Sequence, residues 1–174
     1  MTGLRYWIGI GANLGDRWGA LAAAVNAVAA TGAAIEAVSS IYETAPRELD
    51  DQPSFLNGAL RARSPLSPPE LLAEVKRIER ELGRDPGGVR FGPRVIDCDL
   101  LVWEGGVWRE PALEIPHPRL VERRFALVPL LELDPGLALP DGIRLADAEA
   151  ALDAEEQAVR RVENPGWPPA PPWA

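Results

Sequence analysis

Asp97 and Asp99 stand two residues apart in Val95-Ile96-Asp97-Cys98-Asp99-Leu100-Leu101-Val102, an otherwise apolar run. The run reads as a strand, and side chains two apart on a strand leave the same face. Both carboxylates therefore project together, with Cα atoms roughly 6–7 Å apart. Two buried, unpaired acids are costly, and a divalent cation removes that cost. Magnesium suits such a pair, because it takes a few carboxylates and leaves other positions to substrate phosphates. The plainer alternative for an Asp-x-Asp is an exposed strand face with two solvated acids.

The arginines nearby favour the metal. Arg77, Arg80, Arg84, Arg90 and Arg94 precede the acids, and Arg119, Arg123 and Arg124 follow His117. Acids that hold metal beside arginines that grip phosphate make the two halves of a phosphoryl-transfer site. Glu74, Glu79 and Glu81 share a predicted helix with Arg77 and Arg80, so surface ion pairs explain those two. Arg84, Arg90 and Arg94 lie on or beside a glycine-rich loop, where that explanation fails. No Walker-type glycine loop occurs, so a nucleotide must be held another way. A different metal-dependent enzyme, such as a glycosyltransferase, could also use the pair. The chain's length and its lack of a second nucleotide-binding half count against that.

These residues need a scaffold. Leu4–Ile10 alternates as a strand, and a helix follows from about Asp16 with Trp18, Leu21, Val25 and Val28 on one stripe. Gly32 is its expected stop. Ile35–Thr44 is β-branched and reads as one extended segment, and Phe55–Arg63 as the next strand. Ser67-Pro68-Pro69-Glu70 signals a helix start with a capping box, and Gly83 its end. Val95–Trp103 is the acid-bearing strand, turned by Glu104-Gly105-Gly106 into Val107-Trp108. Arg124–Leu133 reads as helix despite Pro129. The succession β-α-β-β-α-β predicts an α+β sandwich: a mainly antiparallel sheet, helices packed on one face, and long active-site loops on the other.

With 174 residues, 47% of them hydrophobic, the chain can bury one domain's core without disulfides or structural metal. Cys98 is the single cysteine, which fits a reducing compartment. No apolar run reaches membrane-spanning length, and the N-terminus lacks a secretory pattern. A cytoplasmic protein is expected, with no membrane partner. The net charge of −8 argues against nucleic acid as partner. That charge is uneven: from Glu132 onward nine acids face three bases, whereas residues 1–131 carry 17 acids and 15 bases. Seventeen of the 18 basic residues are arginine, the side chain whose planar fork suits phosphate.

Five blocks give the chain a resemblance. Ile10-Gly11-Ala12-Asn13-Leu14-Gly15, Ser39-Ser40-Ile41-Tyr42-Glu43-Thr44, Asp51-Gln52-Pro53-Ser54-Phe55-Leu56-Asn57, Phe91 through Leu101, and Ile115-Pro116-His117-Pro118-Arg119-Leu120 occur in this order. From about Tyr6 to Pro135 the chain resembles the 6-hydroxymethyl-7,8-dihydropterin pyrophosphokinase family. The resemblance implies a ferredoxin-like fold and transfer of pyrophosphate from MgATP to the pterin's hydroxymethyl oxygen, releasing AMP, in folate biosynthesis. It implies two magnesium ions on Asp97 and Asp99, with Arg84 and Arg94 completing the catalytic set. Gly11, Thr44, Ala45, Phe55, Asn57 and Phe125 would contact the pterin, the two phenylalanines by stacking. Glu79, Arg90, Phe91, Arg94, His117 and Arg123 would contact ATP.

A single catalytic domain over residues 1–160 is expected, working as a monomer. Residues 161–174 are expected to form a Pro/Trp-rich tail, extended from Asn164 and dispensable for chemistry. Pro86 stands where the family usually has an arginine, and Arg47 where it is usually apolar. A catalytically impaired pterin- or nucleotide-binding module is the alternative that Pro86 suggests.

Overall fold

The computed structural model describes residues 2–46, 51–83, 87–88 and 92–170. In chain order these form β1 (Leu4–Ala12), α1 (Arg17–Ala30), β2 (Ala34–Val38), β3 (Ile41–Thr44), β4 (Phe55–Ser64), α2 (Pro68–Glu81), β5 (Asp97–Trp103), β6 (Trp108–Glu110), β7 (Leu113–Ile115), α3 (Arg124–Leu133), α4 (Leu145–Ala150) and β8 (Arg160–Val162). Local chemistry explains the helix ends. Asp16 caps α1, its carboxylate accepting from the Gly19 N–H at 3.0 Å, and Gly32 ends it at φ +91°. Glu70 accepts from the Ser67 N–H at 2.8 Å, closing the expected box at the start of α2.

The main sheet runs β5-β1-β4-β3-β8, with β2 also paired to β4. Every one of these pairings is antiparallel. The extended segment expected over Ile35–Thr44 is two strands. β2 pairs with the second half of β4 and β3 with the first half. The break falls at Ser39-Ser40, where polar groups replace the ladder: the Ser39 hydroxyl accepts from the Ala59 N–H at 2.8 Å, and Glu132 accepts from the Ser40 N–H at 2.8 Å. The turn at Glu104-Gly105-Gly106 is present, with the Gly106 N–H donating to Trp103 O at 3.0 Å. It leads into β6, which pairs with β7 as a separate ribbon and not with β5.

Alternation along β1 divides the core. Tyr6, Ile8 and Ile10 face α1 and α2, meeting Leu21, Val25, Val28, Leu71, Val75 and Ile78. Trp7 points the other way, where it packs with Ala59, Leu101, Leu127 and Leu130. The expectation of helices on one face alone is therefore corrected: α3 covers part of the second face. The physical reason is that Trp7, Ala59 and Leu101 leave apolar surface there that must be buried. The rest of that face, beside the N-terminus of α3, remains open.

The expected tail boundary after residue 160 falls inside β8. That strand pairs with β3 through Ile41↔Val162, Tyr42↔Arg161 and Glu43↔Arg160. Past it, Trp167 packs edge-on against Trp18 at 6.1 Å between ring centroids. No helix among the described residues is long and apolar enough to cross a membrane.

Candidate active site

Strand register builds the site. Gly11 of β1 lies opposite Asn57 on β4 and opposite Asp97 on β5. One pair along, Gly9 lies opposite Ala59 and Asp99. All six residues share the second face, so two carboxylates stand on one side of a floor made from two glycines and the Asn57 amide stands on the other. Glycine is required at the floor for space. A Cβ on Gly11 would lie 2.8 Å from Asn57 Oδ1.

Above this floor is a pocket of about 150 Å³. Its lining brings together ten of the residues expected from the sequence: Gly11, Thr44, Ala45, Phe55, Asn57, Arg94, Asp97, Asp99, Arg123 and Phe125. Phe55 opens β4 and Phe125 lies in the first turn of α3, so elements from opposite sides of the pocket each contribute a ring. The Arg123 guanidinium carbon sits 5.6 Å from the centroid of the Phe125 ring. Arg84, Arg90 and Phe91 lie outside the described residues, as do Arg47 and Pro86.

Hydrogen bonds fix the polar groups. Asn57, only 6% exposed, donates from Nδ2 to Thr44 Oγ1 at 2.8 Å. Asn13, 1% exposed, ties two loops to one another. Its Nδ2 donates to Gln52 Oε1 and to Pro53 O, both at 2.9 Å, and its Oδ1 accepts from the Arg94 N–H at 2.7 Å. The backbone N–H groups of Asn13 and Leu14 also donate to Arg94 O. This engagement holds residues before Asp97 out of the ladder, and β5 starts two residues later than the expected Val95.

Two predicted ATP contacts lie off the pocket lining. Glu79 projects from α2 on the opposite face of the sheet. Its carboxylate, 1% exposed, accepts from the Cys98 N–H at 2.8 Å and pairs with Lys76 at 3.2 Å. It thus holds the outer edge of β5 between the two aspartates. His117 follows the cis Ile115–Pro116 bond, and its Nδ1 accepts from the Arg119 N–H at 3.1 Å. Burial first, and Arg123 second, lower its pKa to about 4, so the imidazole is neutral near pH 7.

Asp99 shows the opposite effect. Burial first, then the Asp97 carboxylate, push it well above the usual carboxylate range. Two hard oxygen donor groups that repel one another, in a pocket shared with Arg94 and Arg123, fit magnesium carrying phosphate ligands. No group of three His, Cys, Asp or Glu placed to hold a metal occurs among the described residues, and magnesium bound by two carboxylates leaves positions for substrate phosphate and water. Burial keeps the Cys98 thiol protonated, which leaves it without nucleophilic reactivity.

The sequence reading missed eight residues of the lining, among them Gly9, Pro46, Gln52, Gly92 and Leu101. Gly9 carried a readable signal, since it precedes Gly11 by two on the same strand. Gln52 carried none, because its place depends on the bond from Asn13.

The family model for 7,8-dihydro-6-hydroxymethylpterin-pyrophosphokinase (HPPK) matches residues 7–135. The chain belongs to the HPPK family. That match contains every described residue of the pocket lining, and it leaves α4 and β8 outside. The chain is 41% identical over 160 residues to the 2-amino-4-hydroxy-6-hydroxymethyldihydropteridine pyrophosphokinase of Methylorubrum extorquens, covering 91% of this chain and 99% of that one. It is 43% identical over 128 residues to the protein of the same name from Bacillus subtilis, covering 73% and 76%. The mitochondrial folate synthesis bifunctional protein of Pisum sativum is 44% identical over 126 residues, covering 72% of this chain. The chain spans about a quarter of the length of that protein and of two Arabidopsis thaliana relatives. In structure it is similar to an HPPK-DHPS crystal structure in complex with substrates, with a TM-score of 0.68 at 12% identity over 87% of this chain and 43% of that one. That likeness concerns the fold alone. It agrees with a mixed α/β HPPK domain built on a mainly antiparallel sheet.

Proposed function

We propose that this chain is an ATP-dependent pyrophosphokinase of folate biosynthesis, transferring pyrophosphate from MgATP to the hydroxymethyl group of 6-hydroxymethyl-7,8-dihydropterin. One arrangement supports this best: Asp97 and Asp99 face Asn57 across a glycine floor, inside a pocket that also holds Phe55 and Phe125. The names of the single-function relatives from Methylorubrum extorquens and Bacillus subtilis agree with it. We also assign the sheet, with α1 and α2 on one face, to the ferredoxin-like sandwich.

In this assignment the flat pterin lies between Phe55 and Phe125, and the Asn57 amide meets its donor–acceptor edge. Gly9 and Gly11 let the ring approach the backbone. Asp97 and Asp99 would hold two magnesium ions, which would offset phosphate charge and help to orient the attacking hydroxyl. Arg94 and Arg123 grip phosphate oxygens and stabilise the charge that moves toward the leaving group. The pterin oxygen bonds to the β-phosphorus, the bond from that phosphorus to the α,β-bridging oxygen breaks, and AMP departs with that oxygen. The hydroxyl proton passes to solvent, which balances the reaction. Positioning and electrostatics supply the catalysis, as phosphoryl transfer requires little covalent chemistry from protein.

The product analysis is decisive. Incubation with MgATP and the dihydropterin should yield AMP and pterin pyrophosphate in equal amounts. ADP formation, or binding of both substrates without turnover, would overturn the assignment.

A further inference from the structure

We propose that the C-terminal segment Arg160–Pro168 is a strap that positions β3, and through it the Thr44–Asn57 pair, for recognition of the pterin; this rests on the function proposed above. β3 is four residues long, and Ala45 and Pro46, which follow it directly, line the pocket. A strand that short is weakly held by one neighbour alone. β8 adds a second neighbour through three residue pairs along the far edge of β3.

Side chains grip both ends of β3. At one end the Arg160 guanidinium meets the Glu43 carboxylate at 2.5 Å. Glu43 also accepts from Ser54 Oγ at 3.1 Å and from Arg17 at 3.3 Å, which joins the strap to α1 and to the residue before Phe55. At the other end the Trp167 indole N–H donates to Ser39 O at 2.9 Å, and its ring packs against Trp18. Arg160 is largely exposed, and an exposed ion pair contributes little to global stability. Its role is therefore local: Glu43 precedes Thr44, and Thr44 Oγ1 accepts the bond that orients Asn57. Asp97 and Asp99 lie on β5, separated from the strap's attachment on β3 by two strands, β4 and β1. Loss of the strap should thus weaken the pterin and spare ATP.

The test uses the full chain carrying Arg160→Ala with Trp167→Ala, checked for folding by circular dichroism. Calorimetry measures 6-hydroxymethyl-7,8-dihydropterin in the presence of magnesium and a non-hydrolysable ATP analogue. Pterin affinity should fall roughly tenfold, the effect of about one misplaced hydrogen bond. The Km for ATP, and kcat at saturating pterin, should stay within about twofold. Arg160→Lys, which keeps the charge beside Glu43, should recover most of the affinity. Unchanged pterin affinity overturns the strap and leaves the proposed function standing, as does an equal loss for both substrates. A wild-type chain that binds no pterin overturns both. If the double variant does not fold, Trp167→Phe keeps an aromatic ring but removes the indole bond to Ser39 and part of the packing on Trp18, and an unchanged Km for pterin in that variant overturns the strap.

Discussion

Thr44 Oγ1 accepts a 2.8 Å hydrogen bond from Asn57 Nδ2, tying β3 to β4 at the wall of the pocket. The bond fixes which end of the amide is spent on the protein. Asn57 Oδ1 is left beside Gly11, at the floor, as an acceptor aimed where a ring edge would lie. A buried amide whose rotation is locked in this way can tell a donor edge from an acceptor edge.

Thr44→Val keeps the shape and deletes that acceptor. Pterin affinity should fall roughly fivefold, the loss of about 1 kcal/mol. Calorimetry should show nucleotide affinity unaltered. Equal pterin affinity in wild type and variant would show that Thr44 does not orient Asn57.

Gly11→Ala places a methyl group 2.8 Å from Asn57 Oδ1, where no carbon is tolerated. Gly11 has no positive φ, so backbone strain adds nothing to the effect. We expect kcat/Km to fall on the order of 10²-fold through misplacement of the amide, while the melting temperature changes by only a few degrees. A variant of normal activity would move the pterin elsewhere.

Asp97→Asn addresses the carboxylate pair. In the metal-free protein the raised pKa of Asp99 means that this group's own contribution to stability is complete below its unfolded value and is lost as pH rises to about 7. Removing the Asp97 charge relieves that cost, so the metal-free variant should melt higher than wild type near pH 7. It should also lose the thermal shift that magnesium gives the wild type and lose turnover. A magnesium shift of wild-type size in the variant would remove the metal from this pair.

His117 should leave a signature in acid. Its pKa is lowered from about 6.5 unfolded to about 4 folded, so between those values the unfolded chain binds the extra proton. Stability conferred by the neutral imidazole is therefore complete above about pH 6.5 and declines as pH falls toward about 4. Urea titrations of His117→Gln should show a shallower decline over this window. Parallel curves for wild type and variant would mean that the imidazole already titrates normally.

The legible parts of the molecule were those governed by short spacing. Ser67 and Glu70 marked the start of α2, and the order of strands and helices indicated a mainly antiparallel sheet. Phe55, Asn57, Asp97 and Phe125, all named from the sequence, line one pocket. Glu79 was harder to place, since a buried glutamate and an exposed one look alike in a helix, and only packing against β5 gives it the Cys98 N–H as partner. The break at Ser39-Ser40 was hidden because a β-branched run does not reveal which half of β4 each part will meet. The Pro/Trp-rich segment read as an extended tail on composition. Trp167 nevertheless has a partner ring, contributed by a helix nearly the whole chain away.

By itself the sequence determined that Asp97 and Asp99 share a face, because alternation on a strand is a local property with a period of two. It also determined that Gly9 and Gly11 share one face of their own strand and leave no side chain on it. Only the tertiary structure decided that the glycines lie between the aspartates and Asn57, that α3 closes one end of the same face, and that β8 returns to hold β3. These depend on register and docking between segments far apart in the chain, set by burial of Trp7, Leu101 and Leu127 and by hydrogen bonds such as Trp167 to Ser39. Such interactions exist only once the chain has folded, so no spacing along the sequence encodes them directly.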